Sequence, residues 1–192
     1  MNEIRSRGIE IEIVDIGGGL GINYDEEHPP DPGEWASMIV PVVKEAGCRL
    51  ILEPGRSIVG NAGVLLTRVI YTKQNGDKTF VVVDAAMNDI MRPTLYGSHH
   101  AIVPVTQRMG ERRIVDIVGP ICESGDFLAR DREIEMPDKG DILAVMSAGA
   151  YGMTMSSNYN SRPRAAEVMV FKNDVDLIGR RETYEDLVLR EV

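Results

Sequence analysis

The chain has 192 residues, 43% of them hydrophobic and 27% charged, the composition of an ordinary globular protein of one domain or two small ones. A net charge of −9 without a run of Lys or Arg argues against nucleic acid or an anionic membrane as the main partner, and no apolar run approaches the ~20 residues of a membrane span. Two cysteines and three histidines show no zinc-ligand spacing, so neither a disulfide framework nor a metal is expected, and a reducing, cytoplasmic compartment is.

Met1 to Arg7 carries charge with no apolar segment behind it, which reads as the middle of a helix and not as a signal peptide. Ile9 to Ile16 then reads as a strand, with Glu10 and Glu12 alternating with isoleucines, and it runs straight into Gly17-Gly18-Gly19-Leu20-Gly21. After a Pro-rich polar loop, Asp31-Pro32-Gly33-Glu34 opens a helix with Asp31 as N-cap, Pro32 at N1 and Glu34 as the capping-box partner. Ala36, Ile39, Val40 and Val43 form its apolar stripe, Pro41 is expected to kink it, and Gly47 to stop it. Leu50 to Leu52 is a short strand ending at Glu53-Pro54-Gly55-Arg56. Strand, glycine loop, helix, strand is one βα unit and the next strand of a parallel α/β fold.

Past about Gly60 the texture changes. Val64 to Tyr71, Thr79 to Asp84, His99 to Val105, Arg112 to Val118, Ile142 to Met146, Ala166 to Phe171 and Val175 to Ile178 read as strands. Asn75-Gly76-Asp77 and Lys139-Gly140-Asp141 are the clearest turns, and 148–155 and 182–189 could be helical. Residues 1–60 are therefore expected to form one unit, α/β, and residues 61–192 an antiparallel β domain. A closed (β/α)8 barrel needs eight strands and roughly 200 residues or more. Sixty residues cannot close one, so sequence upstream of Met1 is expected.

Five motifs carry candidate chemistry. The glycine cluster after a strand either makes a nest of backbone amides for phosphate oxygens or is a tight turn; its spacing is not that of a dinucleotide loop. Glu53-Pro54-Gly55-Arg56 also lies at a strand end, where an ion pair in a turn is the plain alternative. In Asn88-Asp89-Ile90-Met91-Arg92-Pro93-Thr94-Leu95-Tyr96, Pro93 disfavours helix at Arg92, so the arginine is expected to project from a turn. Its rigid fork matches a carboxylate, and Tyr96 adds a hydroxyl. Gly119-Pro120-Ile121-Cys122-Glu123-Ser124-Gly125-Asp126 sets a thiol, a proton donor near neutral pH, beside a carboxylate on a Gly-bounded loop. Ala148-Gly149-Ala150-Tyr151-Gly152 places a tyrosine in a Gly-flanked turn. Cys48, His99 and His100 read as packing or solvated residues.

Together these motifs resemble the C-terminal part of the diaminopimelate decarboxylases, pyridoxal-phosphate (PLP) enzymes of the alanine racemase-like fold that make lysine. The resemblance covers nearly the whole chain and implies the last strands of a PLP-binding (β/α)8 barrel followed by a β-sandwich or Greek-key domain. It implies that Gly17, Gly18, Gly19, Gly21 and Gly55 grip the PLP phosphate, that Glu53 lies near the pyridine nitrogen, and that Arg56 contacts substrate beside the cofactor. It further implies that Arg92 and Tyr96 bind the substrate's distal carboxylate, that Glu123 reads its far amino group, and that Cys122 reprotonates the product carbon. Tyr151 is implied to reach the phosphate, the ring and the substrate. Cys122 and Glu123 would come from the neighbouring subunit of a homodimer. Asn158 to Arg162 also match a family segment, without an implied role. None of Lys44, Lys73, Lys78, Lys139 and Lys172 lies in a motif of the Schiff-base kind, so this polypeptide alone is expected to be inactive. An ornithine-type decarboxylase, whose substrate would leave Arg92 without a partner, and a non-catalytic module on the same fold are the alternatives.

Overall fold

The computed structural model describes residues 2–107 and 110–192. Helix α1 (Asn2–Ser6) precedes β1 (Ile13–Asp15), which pairs in parallel with β2 (Arg49–Ile51) so that Val14 faces Leu50. The strand expected over Ile9 to Ile16 is thus only three residues long, because β2 offers partners for no more. Between them α2 (Pro32–Glu45) begins as anticipated: the Asp31 carboxylate accepts the amides of Gly33 and Glu34 at 2.7 and 2.9 Å, and Glu34 accepts the Asp31 amide. The helix runs through Pro41 and stops at Gly47, whose φ of +64° lets its amide reach Lys44 O and that of Cys48 reach Val43 O. This unit has almost no core of its own. Val43 is buried, while Ile13, Met38, Val42 and Ile51 are exposed.

A short helix, α3 (Gly55–Val59), and a 3-10 turn (Gly60–Ala62) lead to β3 (Leu65–Asn75). The anticipated Gly76 turn (φ +60°) joins β3 to β4 (Lys78–Val83). There follow α4 (Arg92–Tyr96), β5 (Ile102–Pro104), β6 (Arg112–Val118), β7 (Phe127–Glu135) and β8 (Ile142–Val145). Strands β3 to β8 make one six-stranded sheet in the order β5-β8-β3-β4-β6-β7. Val69, Val81, Val83, Val115, Ile117 and Leu143 from this sheet, with Ile90, form a core in which each is at most 1% exposed. A separate antiparallel hairpin, β9 (Glu167–Phe171) and β10 (Asp174–Gly179), and helix α5 (Tyr184–Val188), capped by Thr183, complete the chain.

Three expectations need correction. The large sheet is mixed, since β4 and β6 run parallel; the long passage through α4 and β5 between them supplies the crossover that a parallel pair requires. Strand β7 was unexpected, because Arg130 to Glu133 interrupt its apolar alternation where Asp131 bulges at φ +47°. The stretch 148–155 is helical only over Met153–Met155, a single 3-10 turn, since Tyr151 sits at φ +68°.

Candidate functional site

The glycine cluster and the Glu53 loop leave the C-terminal ends of the adjacent parallel strands β1 and β2, so they lie side by side. Glu53 N–H donates to Gly17 O at 2.9 Å, and Gly17 N–H donates to the Asp15 carboxylate at 2.8 Å. Gly17 and Gly19 hold φ of +68° and +67°, and a Cβ on Gly18 would lie 2.8 Å from Glu53 O. Side chains are excluded there by backbone and not by neighbouring side chains. Gly21 lies against Pro29, and Gly55 opens α3 with nothing within 4 Å of where its Cβ would be.

Arg92 does not project from a turn. It is the first residue of α4, with Pro93 in the first turn where a missing N–H costs nothing, and it is 6% exposed. Its Nη1 donates to the Tyr24 hydroxyl at 2.6 Å and lies 3.4 Å from His100 Nε2. The guanidinium sits over the rings of Tyr24 (4.8 Å) and Tyr151 (5.4 Å). His100 Nδ1 is 2.8 Å from Met146 O, a bond only an Nδ1–H can make, so Nε2 is the acceptor facing Arg92. Burial, opposed by that bond and assisted by Arg92, lowers the His100 pKa and keeps the ring neutral. Among the described residues no carboxylate pairs with Arg92, so a desolvated cation is held by neutral groups alone. Tyr96, at the end of the same helix, is 66% exposed.

Tyr151 is brought to this cluster by backbone packing. A Cβ on Gly149 would collide with Val59 O, and one on Gly63 would lie 2.5 Å from Gly149 Cα, so the Ala148–Gly152 loop presses on the segment after α3. Tyr151 thereby stands between two arginines, with Arg56 also 5.4 Å from its ring. Tyr151 is a non-glycine residue at positive φ, a conformation that concentrates at functional sites. Arg56, Tyr151 and Arg92, expected together, form one contiguous group.

The loop carrying Cys122 and Glu123 is pinned by Asp126, whose carboxylate accepts Met87 N–H at 2.7 Å and Ile121 N–H at 2.6 Å. Thr94 of α4 donates to Gly125 O. The Cys122 thiol is exposed, and the Glu123 carboxylate accepts the Tyr159 hydroxyl at 3.2 Å. Among the described residues no hydrogen bond, ion pair or ring contact joins Cys122 or Glu123 to Arg56, Arg92 or Tyr151 within the chain. The Asn158 to Arg162 segment acts as a brace: Arg162 donates to Asn88 Oδ1 (2.9 Å) and Asp84 O (2.6 Å), fixing the turn that launches α4. Cys48 is half-buried with its sulfur 3.3 Å from Ile11 O. Two residues of the arginine cluster, Tyr24 and His100, were not anticipated as part of it. Tyr24 follows the glycine cluster as any core tyrosine might, and His100 lies eight positions after Arg92, beyond the end of its motif at Tyr96.

Residues 13–149 match the family described as pyridoxal-dependent decarboxylase, C-terminal sheet domain. The chain belongs to this family. Among relatives of these decarboxylases, the chain is 51% identical over 186 residues to a diaminopimelate decarboxylase of Aquifex aeolicus, covering 96% of this chain and 44% of the relative. It is 50% identical over 192 residues to the diaminopimelate decarboxylase of Neisseria meningitidis serogroup A, covering 100% of this chain and 47% of the relative. The crystal structure of diaminopimelate decarboxylase from M. jannaschii in co-complex with L-lysine superimposes with a TM-score of 0.91 at 41% identity, covering 99% of this chain and 45% of that one. The chain spans about half the length of the curated relatives it matches. Among the described residues no helix is long and apolar enough to cross a membrane, and no group of His, Cys, Asp and Glu could hold a metal ion.

Proposed function

We propose that this chain is the carboxyl-terminal half of a diaminopimelate decarboxylase, which converts meso-2,6-diaminopimelate to L-lysine and CO2 in lysine biosynthesis. In this reading residues 1–60 are the last part of a PLP-binding (β/α)8 barrel and residues 61–192 the β-rich domain, working in a cytoplasmic homodimer. The observation that carries it is Arg92: a buried guanidinium held by a phenol, an imidazole and two aromatic faces, with no described carboxylate of its own. A buried charge left uncompensated is strongly unfavourable, so such a group points to an anionic ligand. Diaminopimelate, unlike ornithine or lysine, carries a carboxylate at its distal end.

The residues present fit PLP. The loop turns at Gly17 and Gly19 with positive φ, and among the described residues the N–H groups of Gly18, Gly19 and Gly21 make no hydrogen bond, which suits a nest for phosphate oxygens. Gly17, Gly18, Gly19, Gly21 and Gly55 would hold the phosphate, Tyr151 and Arg56 would border it, and the Glu53 carboxylate would keep the pyridine nitrogen protonated. When bound, PLP supplies the electron sink for cleavage of the bond between the reacting carbon and its carboxylate.

The chain's other residues select the substrate and handle one proton. Arg92 and Tyr96 hold the distal carboxylate, which places the other end of the substrate, and Arg56 borders that reacting end. Glu123 pairs with the far amino group, and the Cys122 thiol gives its proton to the carbon that loses CO2. Cys122 and Glu123 serve the neighbouring subunit, which accords with an exposed thiol lacking contact with the chain's own arginine cluster.

Arg92→Met, made in the chain joined to the amino-terminal half of such an enzyme, tests the reading. Removing one partner of a desolvated ion pair costs about 2–5 kcal/mol. At ~1.4 kcal/mol per decade, kcat/KM for diaminopimelate should fall roughly 30- to several-thousand-fold. The preference over diamino acids lacking the second carboxylate should narrow as well. An unchanged preference would place the carboxylate clamp elsewhere.

A further inference from the structure

Arg92 is held by groups that no motif singled out, and their chemistry is of one kind. Tyr24 offers a hydroxyl oxygen at 2.6 Å and a ring face at 4.8 Å; His100 offers Nε2 at 3.4 Å. The two rings also meet edge to face, with centroids 5.2 Å apart and planes at 76°. Each is itself fixed from outside the cluster. His100 is fully buried, and its bond to Met146 O sets the tautomer, so Nε2 has no proton to clash with the guanidinium. Tyr24 is gripped at its backbone, its N–H by the Glu27 carboxylate at 2.9 Å and its C=O by His99 Nδ1 at 3.2 Å. Buried arginines are ordinarily held by carboxylates, which neutralise them. Here two neutral, preorganised acceptors hold Nη1 and leave the charge whole. Among the described residues nothing bonds Nε or Nη2, the edge that a carboxylate takes side-on.

Resting on the diaminopimelate reading above, we propose that Tyr24 and His100 are positioning residues: a neutral cradle that orients Arg92 toward the distal carboxylate of the substrate without spending its charge. Tyr24 lies three residues past Gly21, so the cradle also ties the cofactor loop to the substrate arginine. Selectivity for the dicarboxylate then depends on a tyrosine hydroxyl and an imidazole that need not touch the substrate.

The test uses the enzyme of full family length and compares Tyr24→Phe, His100→Ala, His100→Gln and Arg92→Met, with kinetics and with calorimetric affinities for diaminopimelate and L-lysine. Tyr24→Phe keeps the ring and removes one hydrogen bond to a charged group, a loss of about ten-fold in affinity. KM for diaminopimelate should rise by that factor, with kcat and L-lysine affinity within about two-fold of wild type. His100→Ala should behave alike, while His100→Gln, which keeps a donor for Met146 O and an acceptor for Arg92, should recover most of the loss. In the Arg92→Met background, Tyr24→Phe should have no further effect. If Arg92→Met weakens diaminopimelate but Tyr24→Phe does not, or if the two losses add, the cradle is overturned and the carboxylate assignment stands. If Arg92→Met itself is silent, the assignment fails and the cradle with it. Thermal melting separates misfolding from these outcomes, and Tyr24→Phe, the isosteric change, decides the case if a His100 variant does not fold.

Discussion

The imidazole of His100 makes the cluster sensitive to pH in a direction the structure defines. It is fully buried and faces Arg92 of α4, with Tyr24 edge-on; Arg132 donates to its own carbonyl at 2.9 Å, and the neighbouring His99 lies 3.6 Å from Asp25. Burial, before any neighbouring charge, lowers its pKa below the ordinary 6.5. The unfolded chain takes up this proton near 6.5 and the folded chain only at lower pH, so folding is favoured by a neutral ring. That contribution is complete above about 6.5 and is lost as pH falls through the lowered folded value. The melting temperature should therefore fall between pH 7 and pH 5, and His100→Gln should remove part of the slope. Parallel pH profiles for the two proteins would show that His100 takes up its proton alike in the folded and unfolded chains, against the effect of burial.

At the scale of elements, glycines do two separate jobs that a stability measurement can tell apart. Gly149 and Gly63 let the Ala148–Gly152 loop touch the backbone after α3, where Val59 O occupies the space a Gly149 side chain would need. Both obstacles are main chain, so Gly149→Ala should cost at least the ~1–3 kcal/mol typical of overpacking, and it should displace Tyr151 from Arg56. Gly55, by contrast, has open space around it and no positive φ. Gly55→Ala should leave the melting temperature nearly unchanged and, if the phosphate assignment holds, weaken PLP binding. Equal melting temperatures for wild type and Gly149→Ala would contradict the close approach of the two segments.

Across the whole molecule, apolar burial is unevenly distributed. The six-stranded sheet has a closed core, whereas both faces of the β9–β10 hairpin are bare: Val168, Val170, Phe171 and Leu177 are all more than half exposed, at 53%, 68%, 64% and 66%. A two-stranded hairpin is marginal by itself. A groove of about 400 Å³, lined by Val64, Leu65, Ala148, Val168, Val170 and Ile178, separates it from the end of the large sheet. On the opposite unit, Ile13, Met38, Val42 and Ile51 add a second apolar surface. Patches of this kind drive association. The chain by itself should self-associate as concentration rises, and supplying the amino-terminal half of a decarboxylase should suppress this. Light scattering that shows a clean monomer at every concentration would count against it.

Local chemistry decides some features wherever the chain sits. Asp31, Pro32 and Glu34 start α2 and Gly47 ends it because caps and left-handed turns involve only residues a few positions apart. The β1–α2–β2 unit, the Gly76 hairpin, strand β6 and the motif loops were legible for the same reason, since apolar period and turn residues announce themselves along the sequence. Other features exist only once distant segments meet. Strand β7 hides its alternation behind four charged residues, three of them exposed, and becomes a strand by pairing with β6. Arg92 reads as an arginine projecting from a turn before a proline, yet it is buried because Tyr24, His100 and Tyr151, 68 residues before it and 8 and 59 after, close around it. Composition can name the arginine. Whether its charge is desolvated and left for a ligand depends on which neutral groups surround it, and that is a property of packing in three dimensions.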